Sequence, residues 1–288
     1  MKHKLMLTLL MVTLALFATC GLGMAATFDL TGPYLNVGLS NTGGVGNDSG
    51  AVGLQFDKTG TGNFTGAPDI LPPGLTLEFY TIGMNGRDLG PGGYLFPTNP
   101  NYMMTSTQVS PLIGSTAGFV GGLAISTQTT VVSGKEVLFN VDFINFSGAP
   151  ITNVQYARGF NPIPDYTQFG NFNTIDTVSA GKVTALGPLS GIAISIVDLT
   201  GGGIPSVQST WATDLATLSI PSAPGTYAIG QNTINMYWNL GTIAPYQSED
   251  LSFAYELSAT TPVPVPPSLM LFAPGLFGLV GLRKRFFG

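Results

Sequence analysis

Apolar and polar side chains alternate with a period of two along most of the second half of this chain. From Val137 to Phe146, the residues Val137, Phe139, Val141 and Phe143 share one face while Asn140 and Asp142 take the other, which predicts a half-buried strand. The turn-forming run Ser147-Gly148-Ala149-Pro150 follows, and Ile151 to Arg158 resumes the alternation with Val154 and Tyr156 set against Asn153 and Gln155, so the spacing predicts a hairpin. Ile192, Ile194 and Ile196 alternate in the same way, as do Ile234, Met236, Trp238 and Leu240. A last strand sets Leu251, Phe253, Tyr255 and Leu257 against Ser252, Ala254 and Glu256. The N-terminal half is less regular: Leu75 to Thr81 is its clearest strand, among glycine-rich turns at Gly43-Gly44, Gly60 to Gly66 and Gly90 to Gly93. No fixed-period repeat is present. Short strands separated by turns predict an all-β fold, an antiparallel β-sandwich, over residues 26–260, with room for two packed subdomains meeting near residue 130.

Both ends break this pattern. Lys2, His3 and Lys4 precede an apolar run from Leu5 to Ala18 and small residues at Gly21, Gly23, Ala25 and Ala26, the layout of a helical secretory signal peptide over residues 1–25. Cleavage after Ala25 places small side chains at both recognised positions, whereas cleavage after Ala26 places Met24 in one of them. Cys20 follows Phe17-Ala18-Thr19, a poor lipidation box. Residues 261–268 form a proline-rich linker that cannot join a sheet. Residues 269–288 combine an apolar segment, Leu269 to Leu282, with a basic end. As a short hydrophobic helix that segment covers about 21 Å against a hydrocarbon core of about 30 Å, and it contains Pro274 and Gly275. Transient membrane residence, pinned on the cytoplasmic side by Arg283, Lys284 and Arg285, suits it better than a stable anchor.

The string VPVPPSLMLFAPGLFGLVGLRKR resembles the PEP-CTERM sorting signal in its Val-Pro-Leu-Pro type variant. The resemblance covers residues 263 to 288. It rests on the opening Val263, Pro264, Val265, Pro266, Pro267 and Ser268, the GLxGLxGL run from Gly275 to Leu282, and the terminal Arg283, Lys284 and Arg285, in that order. Val265 stands where the commonest form has an acidic residue, which leaves the exosortase subtype open. The resemblance implies recognition by an exosortase in the inner membrane of a Gram-negative bacterium, removal of the tail, and delivery to the cell surface or an exopolysaccharide (biofilm) matrix. The signal peptide adds the Sec export machinery and signal peptidase as earlier partners. A second pattern, Val154-x-Tyr156-x-Arg158 followed by the Asn161-Pro162 to Asp165 loop, is similar to one in large bacterial extracellular β-domains, where that loop is aspartate-rich. Here Asn161 and Ile163 replace acidic residues.

Composition narrows the chemistry. The only His and the only Cys are His3 and Cys20, both in the signal peptide, so the mature chain has no histidine base, no thiol nucleophile, none of the usual zinc, haem or copper ligand sets, and no disulfide. All fifteen acidic residues lie between the two signals with five basic ones, Lys58, Arg87, Lys135, Arg158 and Lys182, a formal charge of −10 that disfavours nucleic acid and anionic lipid. Hard-cation chemistry stays open, and calcium is the candidate cofactor, with oxygen ligands from Asp57 and Asn63, or from Asp165, Asn171, Asn173 and Asp176. Trp211 is a candidate for stacking on a sugar ring, while Trp238 falls on an apolar face and reads as core. Glu78, Glu136, Glu249 and Glu256 are the glutamates available to a carboxylate-dependent glycan hydrolase, but spacing singles out no pair. The expected protein is an exported, non-enzymatic surface or matrix component with a structural or adhesive role. A secreted carbohydrate-binding module is the alternative, and a glycan hydrolase comes after it.

Overall fold

A computed structural model describes residues 27–46, 52–93, 95–96, 99–132, 134–209 and 211–259. The two terminal signals, with Ala25, Ala26, the Val263 to Ser268 motif and the Arg283 to Arg285 end, lie outside the described residues. Three short strands come first, β1 (Phe28–Thr31), β2 (Leu35–Leu39) and β3 (Leu54–Phe56). The hairpin β4 (Glu78–Met84) and β5 (Arg87–Gly92) follows, then β6 (Met103–Ser110), β7 (Ile113–Val120), β8 (Leu123–Val131), β9 (Glu136–Asn145) and β10 (Ile151–Phe160). A helical turn α1 (Tyr166–Phe169) leads to β11 (Thr174–Ser179), β12 (Lys182–Leu186), β13 (Ile192–Asp198) and β14 (Ile204–Gln208). A second turn α2 (Leu215–Leu218) precedes β15 (Tyr227–Gly230), β16 (Thr233–Ile243) and β17 (Ser248–Ala259).

These strands assemble as the predicted all-β, antiparallel sandwich. One layer is a nine-stranded sheet in the order β15-β11-β12-β13-β17-β9-β8-β7-β6, and the facing layer combines a five-stranded sheet, β14-β16-β10-β4-β5, with the three-stranded β1-β2-β3. Alternation decides which side chains enter the core. Val137, Phe139, Val141 and Phe143 from β9 point inward and are buried, and so are Leu251, Phe253, Tyr255 and Leu257 from β17 and Ile192, Ile194 and Ile196 from β13. Phe139 and Phe253 stack at 4.7 Å and 8° across the β9/β17 pair, and Trp238 reaches Phe253 at 5.3 Å from the opposite layer. Trp238 is therefore core, its indole N–H donating to Asp198 Oδ1 at 3.1 Å. Burial on this scale supplies the main driving force for a chain without disulfides. One apolar cluster runs from Leu30 to Leu257 through both halves, and position 130 falls inside the direct pairing of β8 with β9.

Three sequence expectations need correction. First, β9 and β10 form no hairpin: β9 pairs with β8 and β17, whereas β10 pairs with β4 and β16, so the Phe146 to Pro150 connection crosses from one layer to the other. Buried Asn145 holds that crossing by donating to the carbonyls of Ala149 and Ile243. Two consecutive strands with apolar faces can pack face to face as readily as edge to edge, and periodicity does not separate the two arrangements. Second, the strand expected at Leu75 starts only at Glu78, because the turn after Pro72 continues through Leu75 N–H and the Thr76 hydroxyl, both donating to the Pro72 carbonyl. Third, β6, β7 and β8 are long strands in the half that looked irregular. Their inward positions include Ser106, Thr116, Thr127 and Thr129, all buried, and the Ser106 and Thr116 hydroxyls bond each other at 2.8 Å.

Candidate functional site

The strongest chemical grouping lies between the layers. Glu78 in β4 and Arg158 in β10 are diagonal neighbours, since Phe160 pairs with Glu78 and Arg158 with Tyr80. Both are almost wholly buried, and Arg158 is the largest fully buried side chain among the described residues. Arg158 Nε donates to Glu78 Oε1 at 2.6 Å and to the Tyr255 hydroxyl at 2.9 Å, and that hydroxyl donates to Glu78 Oε1 at 2.9 Å from the facing sheet. Val45 N–H donates to Glu78 Oε2 at 2.8 Å, and Arg158 Nη2 reaches the Gly43 carbonyl, so the loop after β2 is tied in as well. The guanidinium also sits 4.9 Å from the Phe139 ring centre. Burial pushes the Glu78 carboxyl up, against the pull of Arg158, the Tyr255 hydroxyl and Val45 N–H. Burial disfavours the Arg158 charge too, but the Glu78 carboxylate, Tyr255 and Tyr156 together outweigh it and hold Arg158 well above its usual value. A cavity of about 10 Å³ beside Arg158 is no larger than a water molecule. The group therefore clamps three sheets together.

The remaining glutamates do not converge on a cleft. Glu136 stands directly opposite Glu256 in the β9/β17 register, and Glu256 is held by Lys182 at 2.7 Å on the outer face. Glu249 is exposed at the start of β17.

Sequence reasoning offered two calcium sets, and their carboxylates prove to be engaged elsewhere. Asp57 and Asn63 do line one open cavity of about 290 Å³, together with Thr59, Thr61, Thr65 and Gln168. However, Asp57 Oδ1 accepts the Thr59 hydroxyl and N–H, and Oδ2 accepts the Thr61 hydroxyl and N–H. These bonds, the Thr59 hydroxyl foremost, hold its carboxyl well below the usual carboxylate range. Asn63 Oδ1 accepts Thr65 N–H. In the second set, Asp165 is fully buried, its oxygens accepting Leu189 N–H and Ser190 N–H at 2.8 Å, which staples α1 to the β12–β13 connection. Asn171 bonds Asp165 and Asn173, while Asp176 turns inward from β11 to a separate partner, Asn232. Burial pushes Asp176 up to about 6. Asp165 and Asp176 thus belong to different networks.

Trp211 is half exposed, in a loop anchored to the five-stranded sheet where the Thr81 hydroxyl donates to the Thr213 carbonyl and Leu215 N–H to Asp88 Oδ2. A separate polar surface is the outer face of the nine-stranded sheet. Adjacent rows across that face read Thr107, Ser115, Gln128, Asn140 and Ser252, then Thr105, Ala117, Ser126, Asp142 and Asp250. Ser252 donates to Asn140 Oδ1 at 2.7 Å. Asp142 and Asp250 are directly opposed, and partial burial together with the Asp250 charge raises the Asp142 carboxyl. An acid whose folded value is raised favours the fold below its unfolded value, and that advantage is lost as pH rises through the folded value. Asp142→Asn is therefore expected to stabilise the domain by about 0.5 kcal/mol at pH 7 and to leave it unchanged near pH 3, as read from urea midpoints at the two pH values.

No family model matches this chain, and no curated protein matches it. Solved structures similar to it include the Slr1438 protein from Synechocystis sp. PCC 6803, at 10% identity and a TM-score of 0.43, covering 83% of this chain and 97% of that one. The GalM/aldose epimerase homologue from C. elegans shows 10% identity and a TM-score of 0.45 over 82% of this chain and 100% of its own. The heparan sulfate lyase HepC from Pedobacter heparinus shows 7% and 0.44 over 82% of this chain and 36% of its own. At these identities and scores they say nothing of what this chain binds or does.

Proposed function

We propose that this chain is an exported, non-enzymatic sandwich protein, sorted by an exosortase and held at the surface or in the exopolysaccharide matrix of a Gram-negative bacterium, in a structural or adhesive role. The observation that carries this reading is the ordered tail, with the proline motif Val263 to Ser268, the apolar run to Leu282 and the basic Arg283-Lys284-Arg285. The domain is consistent with it. Its buried ion pair and its turn aspartates serve the fold, and the outer face of its nine-stranded sheet is rich in hydroxyls and amides, which suit contact with a hydrated polysaccharide. Mass spectrometry of the protein isolated from its host tests the reading. A C-terminus upstream of Leu269 is expected, with accumulation of the uncleaved form in the inner membrane when Arg283, Lys284 and Arg285 are all changed to Gln. An intact Gly288 in surface fractions overturns it.

A second reading, a secreted carbohydrate-binding module, draws on Trp211, whose half-exposed indole is available to stack on a sugar. Binding on a glycan array that disappears with Trp211→Ala favours the module.

A further inference from the structure

The nine-stranded sheet ends on β6, which among the described residues pairs with β7 alone. A strand at a sheet border offers a row of backbone N–H and C=O groups to any further strand, and folds ordinarily guard it with charge, proline or shortness. The other borders of this fold are guarded. β5 carries Arg87, Asp88 and Pro91, β14 carries Pro205, β15 and β1 have four residues each, and β3 has three with a bridge from Gln55 to Asp69. β6 lacks all three devices: it runs for eight residues, Met103–Ser110, with neither charge nor proline. Its one irregularity, a register shift between Gln108 and Ser110, falls at its end, so Met103 to Gln108 pair regularly with Phe119 to Gly114. Its outward row is Met103, Thr105, Thr107 and Val109, all exposed, with Met103 at 70% and Val109 at 62%.

Charge and sequence together select the occupant of this border. The chain is acidic, with a formal net charge of −5, yet no charged residue occurs from Leu89 to Gly134, a stretch that contains all of β6, β7 and β8. Two copies of an acidic molecule can therefore approach through these strands without opposing like charges. The sequence of β6 is also its own complement. Antiparallel pairing about a two-fold axis at Ser106 sets Thr105 opposite Thr107 of the second copy and Met103 opposite Val109 of the second copy, so threonine meets threonine and exposed apolar meets exposed apolar. Residues of like parity then face each other, which keeps both outward rows on one face of the joined sheet. We propose that two copies of this chain join through β6 in an antiparallel, two-fold pairing centred on Ser106, extending the nine-stranded sheet across both. This interface concerns the domain alone and does not rest on the export and sorting reading.

Sedimentation velocity of the full chain, purified from an exporting host and followed across micromolar concentrations, tests this. A single reversible step from one copy to two is expected. Thr105→Lys, on the exposed row, is expected to leave Tm within about 2 °C of the parent and to raise the dissociation constant by about tenfold or more, because each interface then holds two lysines close together. In a Cys20→Ser background, mild oxidation of an equal mixture of Thr105→Cys and Thr107→Cys chains is expected to link unlike chains. That reports the register directly and does not depend on how well Thr105→Lys folds. A chain that stays single at every concentration overturns the proposal, as does a dimer that Thr105→Lys leaves intact, since association then lies at the tail or on another surface. Open-ended growth with concentration, the signature of β6 adding to β15 of the next copy, overturns it as well.

Discussion

Arg158→Met is expected to destabilise the domain by about 3–5 kcal/mol, the cost of leaving a buried carboxylate without its counter-charge. Methionine fills most of the arginine volume, so the loss falls on electrostatics and hydrogen bonding more than on packing. Glu78 keeps Val45 N–H and the Tyr255 hydroxyl but faces no positive charge. At about 2–4 °C per kcal/mol for a domain of this size, Tm falls by about 6–20 °C. Adding Glu78→Gln to Arg158→Met is expected to restore a large part of the loss, because the glutamine oxygen still accepts Val45 N–H and no charge remains buried. Urea midpoints for the two single variants and the double variant check this. A double variant as unstable as the two losses summed excludes the clamp.

Phe253→Ala is expected to cost about as much, 3–5 kcal/mol, by a different route, through lost burial and the cavity it leaves. Phe253 stacks on Phe139 at 4.7 Å and lies within 6.3 Å of Trp238, Tyr255 and Tyr156, so a single ring connects both layers. Its neighbour Tyr255 also serves the Glu78–Arg158 pair, and the two variants are therefore expected to couple by about 0.5–3 kcal/mol rather than add. Denaturation of Phe253→Ala in both the native and the Arg158→Met background measures that coupling.

How legible this protein is depends on where its information lies. Strands β9, β13, β16 and β17 could be read directly because each carries Val, Ile, Leu or aromatic residues on alternate positions. Strands β6 to β8 could not, because threonine and serine occupy core positions there, with the Ser106 and Thr116 hydroxyls bonded to each other. The partners of β9 and β10 were hidden for another reason, since alternation fixes which face is buried but not which edge is paired. Arg158 did carry a signal. It shares parity with Val154 and Tyr156, a pattern that places an arginine on an inward face and calls for a buried carboxylate, but this was not drawn from the sequence, and nothing in the spacing points to Glu78, eighty positions earlier.

The strand order of the nine-stranded sheet sets a timetable for folding. β17 inserts between β13 and β9, so until Ser248–Ala259 arrive the sheet exists as two fragments, each exposing a long hydrogen-bonding border. A nascent chain thus keeps exposed strand borders, sticky and open to proteases, until its last strand is supplied. Loss of those twelve residues leaves two half-sheets with no strand pairing between them.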